Sequence, residues 1–532
     1  MVIKSKESSS ASPSLNMIQT VIVALALLAG LWFIRNKRAP STPYSHLPLP
    51  PGPKRLPVIG NLLNMPAAAH DYHEWSKQYK SDIIYLDVPG SKMVVLDTYD
   101  AAFELLERRS AKYSSRARLT MVNELMGWDF ALGFMEYGKA WRDRRRLMHN
   151  SFHPEAAKQF RPQLLKETRK MLERFLDTPN GDVMGNIRHM TRNIILQITY
   201  GLEVQPEGDP FIEVAERAIE GSLVASIPGN FLVNSFPFLK HVPDWFPGAS
   251  FHKKAREWKG YGLKMIESPF SATKRNMAAG ESPQCFVSTN LEKMETHDAA
   301  HERDIKLTAG SMYSAGTDST LSAIGSCILG FLQKPEVLKK AQAEVDKMVK
   351  PGHLPDFEDI DSLPYITAIT MEVLRWRVVG PIGVPHLLTE EDEYKGYRIP
   401  AGTTVIANQW AMLHDESVYP NPSDFNPDRF MLDGKVNPAV RDPSHACWGF
   451  GRRICPGRYM AFSSVWIAIA SLVAVFDISN AVDDEGNVIE PTHEYTPNLI
   501  RVPVPYKCSI TPRSPQSDRL IRASVHEELA NA

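Results

Sequence analysis

The chain of 532 residues has no excess of charge of either sign, since 60 Lys and Arg stand against 61 Asp and Glu. Its formal net charge of −1 gives it no global basic field. A protein without such a field lacks the electrostatic basis for holding nucleic acid, so we expect no nucleic-acid partner. No internal repeat is present, and the apolar content of 43% is that of an ordinary globular protein.

Cysteine is scarce, and its pattern excludes a disulfide framework. The five residues are scattered and odd in number: Cys285, Cys327, Cys447, Cys455 and Cys508. Such usage is typical of a reducing compartment. A usable N-glycosylation sequon is also missing, because the proline of Asn421-Pro-Ser blocks it. Both features favour a protein body that faces the cytosol.

The N-terminus holds a long apolar run. Residues 1–16 are polar and Ser-rich, and residues 17–34 form a helix pattern that would rise about 27 Å, close to the roughly 30 Å hydrocarbon core. A cleaved signal peptide is the alternative, although this run ends in Trp-Phe-Ile at 32–34 instead of small residues. Arg35, Lys37 and Arg38 follow. The sequence predicts a single-pass transmembrane anchor with its C-terminal side in the cytosol.

The remaining chain divides by composition. Residues 35–55 are a basic, Pro-rich linker, and the proline density near 47–53 predicts a stiff spacer. Residues 56–511 are predicted to form one large domain, mainly α-helical with a small β-rich lobe, and residues 512–532 a polar, mobile tail. Within the domain we predict hairpins at 82–98 and 394–407, helices at 303–331, 362–376 and 458–476, and a final pair of strands at 496–510.

One stretch, Trp448-Gly-Phe-Gly-Arg-Arg-Ile-Cys-Pro-Gly457, predicts a rigid loop that holds the cysteine as a thiolate. Pro456 suits the first position of the following helix, whose first-turn amides and dipole would point back at the sulfur of Cys455. Arg452 and Arg453 are expected to favour the thiolate further. From the residues alone, a buried inert thiol remains open. A zinc site with His445 and Cys447 also remains open, although no fourth ligand is evident.

The whole ten-residue string resembles the haem-binding loop of the cytochrome P450 family, in which a Cys thiolate is the axial iron ligand. Trp448 stands where the family usually has Phe. The resemblance implies that haem b is the cofactor, that Cys455 binds its iron, and that Trp448, Phe450 and Arg453 contact it.

Other cofactor contacts are implied by the same resemblance. Trp141 and Arg145, four residues apart on a helix face, match a pair that bonds a haem propionate. From the residues alone, a solvated basic face with one half-buried Trp is the alternative. His386, at the end of the segment that begins at Gly380, matches a further propionate contact. The resemblance also implies an acidic electron-donor protein, for which we expect a basic docking surface made of Arg142, Arg144, Arg146 and Arg458.

Ala315-Gly-Thr-Asp-Ser-Thr320 lies within the helix predicted at 303–331. Gly316 costs a helix about 1 kcal/mol relative to Ala, which suggests a close approach to the backbone. A kinked helix with local side-chain bonds is the plain alternative. In the family this segment faces the distal side of the haem, so the resemblance implies that Asp318, Ser319 and Thr320 are catalytic and deliver protons. Ser319 stands where the family usually has Thr.

Glu372 and Arg375 are three residues apart on a predicted helix and can pair. The resemblance implies that this pair is buried and bonds Arg429, which would lock the fold around the haem. Surface pairing is the alternative reading of the two residues.

The segments that the family uses to line its substrate cavity are largely apolar here. The candidate pocket residues are Met126, Phe130, Phe134, Ala315, Val379, Ile382, Leu499 and Ile500. They fit a lipophilic, neutral substrate such as a terpenoid, steroid or polycyclic aromatic. The strings at 121–127 and 237–248 resemble fungal members, which serve secondary metabolism or xenobiotic oxidation. The aromatic segment 224–248 is either a packed loop or one that dips into lipid.

Taken together, the resemblance implies a microsomal monooxygenase that inserts one oxygen atom from O₂ into its substrate by hydroxylation or epoxidation. It would be anchored in the endoplasmic reticulum membrane and face the cytosol. Because the chain has no flavin or nicotinamide domain, NADPH would act through a cytochrome P450 reductase, with cytochrome b5 as a second donor. A same-fold isomerase or dehydratase that does not use O₂, and a non-catalytic haem sensor, remain the alternatives.

Overall fold

The computed structural model describes residues 43–530, apart from residues 58, 67, 89, 206–207, 228 and 296–297. The polar N-terminus and the anchor predicted at 17–34 lie outside the described residues. The described chain is mainly helical with small sheets, as predicted.

The α-helices are α1 (Ala69–Tyr79), α2 (Tyr99–Ala102), α3 (Ser110–Tyr113), α4 (Lys139–Phe152), α5 (Pro154–Ala157), α6 (Arg161–Asp177), α7 (Val183–Tyr200), α8 (Pro210–Ser226), α9 (Leu232–Ser235), α10 (Phe251–Ala279), α11 (Phe286–Glu292), α12 (Ala299–Gly316), α13 (Asp318–Gln333), α14 (Pro335–Met348), α15 (Pro364–Trp376), α16 (Gln409–Leu413), α17 (Ser444–Cys447), α18 (Arg458–Val475) and α19 (Pro515–Ala530). Short 3₁₀ turns are found at Leu62–Asn64, Trp128–Phe130, Lys158–Phe160, Pro237–His241, Phe357–Ser362, Pro427–Phe430 and Gly451–Arg453, and π-turns at Phe103–Arg108 and Thr120–Leu125.

The strands are β1 (Ile83–Val88), β2 (Ser91–Leu96), β3 (His386–Leu387), β4 (Asp392–Tyr394), β5 (Tyr397–Ile399), β6 (Thr404–Ala407), β7 (Met431–Leu432), β8 (Lys435–Val436), β9 (Phe476–Val482), β10 (Val488–Ile489) and β11 (Cys508–Pro512). The largest sheet has the order β1-β2-β6-β3. The hairpin predicted at 82–98 is confirmed, with Ile83 opposite Leu96.

Two predicted strand pairings are wrong. The strands on either side of residues 400–402 do not pair with each other: β5 pairs with β4, and β6 joins the large sheet parallel to β2. In the segment 496–510, a single bridge joins Tyr495 to Pro503, and β11 pairs with β9 instead. Both errors have one cause, because a run of β-favouring residues does not show which distant strand will supply its hydrogen bonds.

Helix α18 is the centre of the core. It packs against α6, α13, α14 and α15, and Trp466 and Ile467 are fully buried. Within the described ranges it is the one helix long and apolar enough to span a membrane, and its burial instead identifies it as a core helix. Its N-terminus begins three residues after Cys455, which places that cysteine against the rigid centre of the domain.

The long helix predicted at 303–331 is two helices, α12 and α13, that meet at Thr317. The break follows Gly316, where a Cβ would lie 2.7 Å from Cδ1 of Ile195 on α7. The backbone approach predicted from this glycine is therefore made by the neighbouring helix. Pro335 begins α14 directly afterwards.

The mobile tail predicted at 512–532 is wrong for its described part, which forms α19. Ile521 and Val525, four residues apart, are buried where this helix packs on α6. Arg513 precedes the helix and donates from both terminal nitrogens to Asp346, at 2.8 and 2.6 Å. Two apolar residues at helical spacing were too weak a signal against a polar background.

Candidate active site

The segment that carries Cys455 is a tight loop that only glycine can build. A Cβ at Gly451, whose φ is +57°, would lie 2.1 Å from the carbonyl oxygen of Leu106. The backbone N–H of Cys455 donates to the carbonyl of Trp448 at 2.8 Å and closes the loop. Phe450 is buried, whereas Trp448 is half-buried. The backbone at Cys455 is therefore fixed by the loop that precedes it.

The charges around Cys455 differ from those predicted. Burial raises the pKa of its thiol, and the Gly457 N–H, Arg145 and Arg458 oppose that rise. Arg452 is exposed and donates to the Tyr137 hydroxyl at 2.7 Å, so its expected effect on the sulfur is wrong. Burial therefore opposes the thiolate, while the Gly457 N–H and the two arginines favour it.

Pro456 was predicted to be the first residue of the following helix, but α18 begins at Arg458. The sulfur nevertheless keeps one backbone contact, since the Gly457 N–H lowers the pKa of Cys455.

Arg453 turns away from the sulfur and into the body of the protein. Its guanidinium donates to the carbonyls of Ser114, Leu132 and Met135 at 2.6, 3.0 and 2.7 Å. It also lies over the ring of Trp141, 4.5 Å from the ring centre. Burial lowers the pKa of Arg453 to about 9, with the charge of Arg145 as the next cause.

Arg116 belongs to the same cluster and was missed from the sequence. It donates to the carbonyls of Gly133 and Val384 at 3.1 and 2.5 Å and is 6% exposed. Burial and the charge of Arg453 lower its pKa well below its usual range. His386 is buried beside them, with Nδ1 2.7 Å from the Tyr113 carbonyl, and burial lowers its pKa as well. No local pattern in the sequence singles out Arg116, which lies between Lys112 and Arg118.

These side chains form a cationic cluster, which we define as Arg116, Arg145 and Arg453. Arg145 donates to the carbonyl of Ile454, next to the cysteine, at 2.7 Å. Over the part of the chain that the structure describes, none of the three has a carboxylate within salt-bridge distance. Arg116 and Arg453 are buried and Arg145 is half-buried. Cations withdrawn from water without counter-charges are costly, so this donor set suits an anionic group at the edge of the site. The two propionates of a haem fit that requirement.

Asp318 begins α13 and faces α7 and α8. Burial raises the pKa of its carboxyl, while Arg188 and Arg192 on α7 pull that pKa down. Arg192 is shared, because it also pairs with Glu216 on α8. The Ser319 hydroxyl donates to the carbonyl of Ala315 at 3.1 Å, as the plain helix reading expected. Thr320 is buried.

Glu372, Arg375 and Arg429 are brought together in the interior. Arg375 donates to both carboxylate oxygens of Glu372 at 2.7 and 2.9 Å, and neither side chain is exposed. Nε of Arg429 lies 3.2 Å from the same carboxylate. The remaining donors of Arg375 reach the carbonyls of Leu413 and Asp424. The surface-pair alternative for Glu372 and Arg375 is thereby ruled out.

The predicted pocket residues fall into two groups by burial. Met126 and Phe130 are buried, and Phe134 lies edge-on to Trp128. Ala315 is exposed, while Val379, Leu499 and Ile500 are half-buried. The Arg501 N–H donates to the Val379 carbonyl at 2.9 Å, which joins the last two segments. Ile382 packs against the apolar cluster of the β1–β2 sheet.

The predicted basic surface needs one correction. Arg144 is 8% exposed and donates to Asp304 at 2.9 Å, so it is an interior residue that ties α4 to α12. Arg142 and Arg146 are exposed on the same helix. Arg458 is half-buried and donates to the Cys455 carbonyl at 3.0 Å.

Comparison with known proteins agrees with this geometry. Residues 50–510 match the family described as Cytochrome P450. Cytochrome P450 monooxygenase 98 of Postia placenta is 43% identical over 484 residues, which are 90% of this chain and 93% of the relative. Cytochrome P450 monooxygenase ple1 of Rhodocybe pseudopiperita is 42% identical over 480 residues, covering 89% and 91%. Tryptamine 4-monooxygenase of Psilocybe cyanescens is 40% identical over 502 residues, covering 93% and 98%.

The chain therefore belongs to the cytochrome P450 family, and the resemblance drawn from its motifs is confirmed. It is an oxidoreductase of the monooxygenase class, like its fungal relatives. Members of the family carry haem b and receive their electrons through a reductase.

Proposed function

We propose that Cys455 is the axial ligand of haem b and that the cationic cluster binds the propionates of that haem, together with Trp141 and His386. The observation that carries this proposal is the burial of Arg116 and Arg453, with the half-buried Arg145 beside them, next to the cysteine loop and without a carboxylate partner among the described residues. Trp448 and Phe450 would contact the haem, and the buried Glu372–Arg375–Arg429 group would keep the surrounding fold in place. When bound, haem supplies the reductive activation of O₂.

Asp318, Ser319 and Thr320, at the start of α13, would deliver protons. Asp318, whose pKa is raised by burial, is suited to hold a proton closer to neutral pH than an exposed carboxyl. The Ser319 hydroxyl is one residue away and partly accessible, and its bond to the Ala315 carbonyl leaves its lone pairs available. Thr320 completes the set as a buried hydroxyl. We assign these residues to proton delivery.

The substrate would be lipophilic and neutral. The proposed pocket contributes Met126, Phe130, Phe134, Ala315 and Val379, with Ile382, Leu499 and Ile500. These side chains are aliphatic or aromatic and carry no charge, which favours a terpenoid, steroid or polycyclic aromatic. Hydroxylation or epoxidation of such a compound, in fungal secondary metabolism or xenobiotic oxidation, is the role that we propose.

Membrane attachment is supported by an exposed apolar surface between α8 and α10. Leu232, Phe238, Trp245 and Phe246 are each at least half exposed. Such a surface is suited to contact lipid, and it agrees with an anchor at 17–34 in the endoplasmic reticulum membrane with the domain in the cytosol.

A basic surface on the α4 side is proposed to receive electron donors. Exposed Arg142 and Arg146, with Arg458 near the cysteine, are suited to attract an acidic protein. We propose NADPH–cytochrome P450 reductase as the main partner and cytochrome b5 as a second one.

A substrate screen tests the proposal. The full chain would be expressed in yeast microsomes with its reductase, offered terpenoids, steroids and polycyclic aromatics under ¹⁸O₂, and its products analysed by mass spectrometry. We expect products that contain one labelled oxygen atom and require NADPH. Product formed without NADPH and O₂ would favour the isomerase or dehydratase alternative. Consumption of NADPH that no compound alters would favour the haem sensor.

A further inference from the structure

The contact between α6 and α7 contains three buried polar atoms that no protein group satisfies. They are Nε and Nη2 of Arg174 on α6 and Nδ1 of His189 on α7, none of which has a hydrogen-bond partner. Both residues are half-buried, so the side chains extend from the surface into the space between the helices. Buried polar atoms in native proteins are nearly always hydrogen-bonded, so three such atoms on two facing helices point to a bound group.

Two side-chain bonds between the helices show that these atoms face the same place. The Asn186 amide donates to the Thr178 hydroxyl at 3.3 Å, and the Asn193 amide donates to the Glu167 carboxylate at 2.6 Å. The helices are therefore antiparallel neighbours, and the three unpartnered atoms lie between the two bonds along their length.

The two unpartnered nitrogens of Arg174 are the edge of a guanidinium that recognises oxyanions, because their N–H bonds point in parallel toward a pair of oxygens. The same two nitrogens of Arg375 hold both oxygens of Glu372, at 2.7 and 2.9 Å. In Arg174 this edge is buried and carries nothing, although the charge of the group is permanent.

No carboxylate of the described chain occupies this edge. Burial lowers the pKa of Arg174, and the charges of Glu167 and Glu173 oppose that change without forming an ion pair with it. Glu167 is committed elsewhere, since one of its oxygens lies 3.2 Å from Nζ of Lys170 and the other accepts the bond from Asn193. The guanidinium thus lacks a direct counter-charge.

The imidazole of His189 supplies an acceptor to the same group. Burial lowers its pKa to about 4 and the charge of Arg174 lowers it further, so the ring is neutral at neutral pH. A bond to the backbone of Gln205 opposes the lowering, which means that the ring donates its one N–H to that carbonyl. Nδ1 is then a lone pair, and it needs a ligand that donates a hydrogen.

We propose that Arg174 and His189 bind one inorganic phosphate ion between α6 and α7. Two phosphate oxygens accept from Nε and Nη2 of Arg174, and the protonated oxygen donates to Nδ1 of His189. Sulfate has the same shape but carries no proton at neutral pH, so it leaves Nδ1 without a donor. The site shares no residue with the proposed haem, proton-delivery or substrate sites, and it goes beyond the proposed function.

Calorimetric titration tests the site. The haem-loaded full chain in detergent would be titrated with sodium phosphate, and separately with sodium sulfate, in a phosphate-free buffer at neutral pH and constant ionic strength. We expect one phosphate ion per chain and weaker binding of sulfate by about threefold to tenfold, the usual range for one neutral hydrogen bond.

Three variants locate the binding. Arg174→Met should weaken phosphate binding at least about tenfold, because two charge-assisted bonds are lost. It should fold normally, because an unflanked cation is replaced by an apolar chain of similar length, and its thermal midpoint without phosphate checks this. His189→Leu should abolish the preference for phosphate over sulfate. Arg522→Ala, which removes an exposed cation paired with Asp177 at the end of α6, is the control and should change neither affinity.

Two results would overturn the proposal. If the wild-type protein takes up no phosphate, the edge of Arg174 holds only water. If a folded Arg174→Met binds phosphate as the wild-type protein does, or if sulfate and phosphate bind the wild-type protein equally, the ion is held by other surface cations.

Discussion

Arg375 and Glu372 form an ion pair in which both side chains are completely buried, with Nε of the arginine 2.7 Å from the carboxylate. The two residues are about one helical turn apart on α15, and Arg429 approaches the same carboxylate from a segment distant in sequence. The Asn426 N–H also donates to it at 2.8 Å. The contacts of Glu372 with Asn426 and Arg429 therefore tie α15 to the segment that leads toward the cysteine loop.

Arg375→Ala should prevent stable haem incorporation. Removing the arginine leaves a buried carboxylate with one cation in place of two, and breaking a buried pair in this way costs about 3–5 kcal/mol. The measurement is haem content per protein together with the thermal midpoint. Arg522→Ala, which removes the exposed ion pairs of Arg522 with Asp177 and Asp518, is the control and should alter neither. A normal haem yield in Arg375→Ala would contradict the role assigned to the pair.

Gly316→Ala should destabilise the domain although alanine is the better helix former. The new methyl would lie 2.7 Å from Cδ1 of Ile195, and overpacking of this kind costs about 1–3 kcal/mol. Ile195→Ala removes Cδ1 and also Cγ1, which would lie 2.9 Å from the methyl, so the double variant should be more stable than the sum of the two single effects predicts. Thermal unfolding of the four proteins gives the coupling energy. Additive effects of the two substitutions would show that the contact does not limit this position.

The short motifs were readable from the sequence because their chemistry is local. The spacing of Glu372 and Arg375 already places them on one face of a helix, and the glycines around Cys455 already require a tight loop. The sequence therefore predicted the helical class, the family and most residues that the structure brings together near the cysteine.

The parts that could not be predicted depend on contacts between distant segments. Arg144 was expected at the surface with its neighbours, but Asp304 on α12 holds it inside. The cations that lower the pKa of Cys455 are Arg145 and Arg458. Arg453, which is only two residues before the cysteine, is not one of them. Arg116 belongs to no local pattern, and only the fold brings it to Arg453.

Cys455→Ser should abolish the reduced-CO spectrum that a thiolate ligand produces, because an alcohol oxygen does not replace the sulfur as an electron donor to iron. Cys447→Ser is the matched control, since that thiol lies in the same loop region and should leave the signature intact. The spectrum of each purified variant after reduction under CO is the measurement. An unaltered signature in Cys455→Ser would assign the iron to another ligand.

Asp318→Asn should make stability less dependent on pH. Burial raises the pKa of Asp318 in the folded protein above its unfolded value of about 3.9, so between these two values the folded state holds a proton that the unfolded state has lost. The stability of the wild-type protein must then fall as pH rises through that window. The Asp318→Asn variant lacks this carboxyl, so its stability relative to the wild-type protein should increase toward neutral pH. Denaturant unfolding at several pH values measures the difference in the free energy of unfolding between the two proteins. A difference that does not change with pH would contradict a raised pKa of Asp318 in the folded protein.

Ser319→Ala should separate NADPH consumption from product formation. Without the hydroxyl beside Asp318, protons would reach the reacting oxygen less selectively, so more reducing equivalents should be lost as peroxide or water. Ser319→Thr restores the hydroxyl and adds a stiff β-branched rotamer, and it should couple at least as well as the wild-type protein. The ratio of product to NADPH, measured with a substrate found in the microsomal screen, distinguishes the variants. Equal coupling in Ser319→Ala and the wild-type protein would remove Ser319 from the proton path and leave its bond to the Ala315 carbonyl as its role.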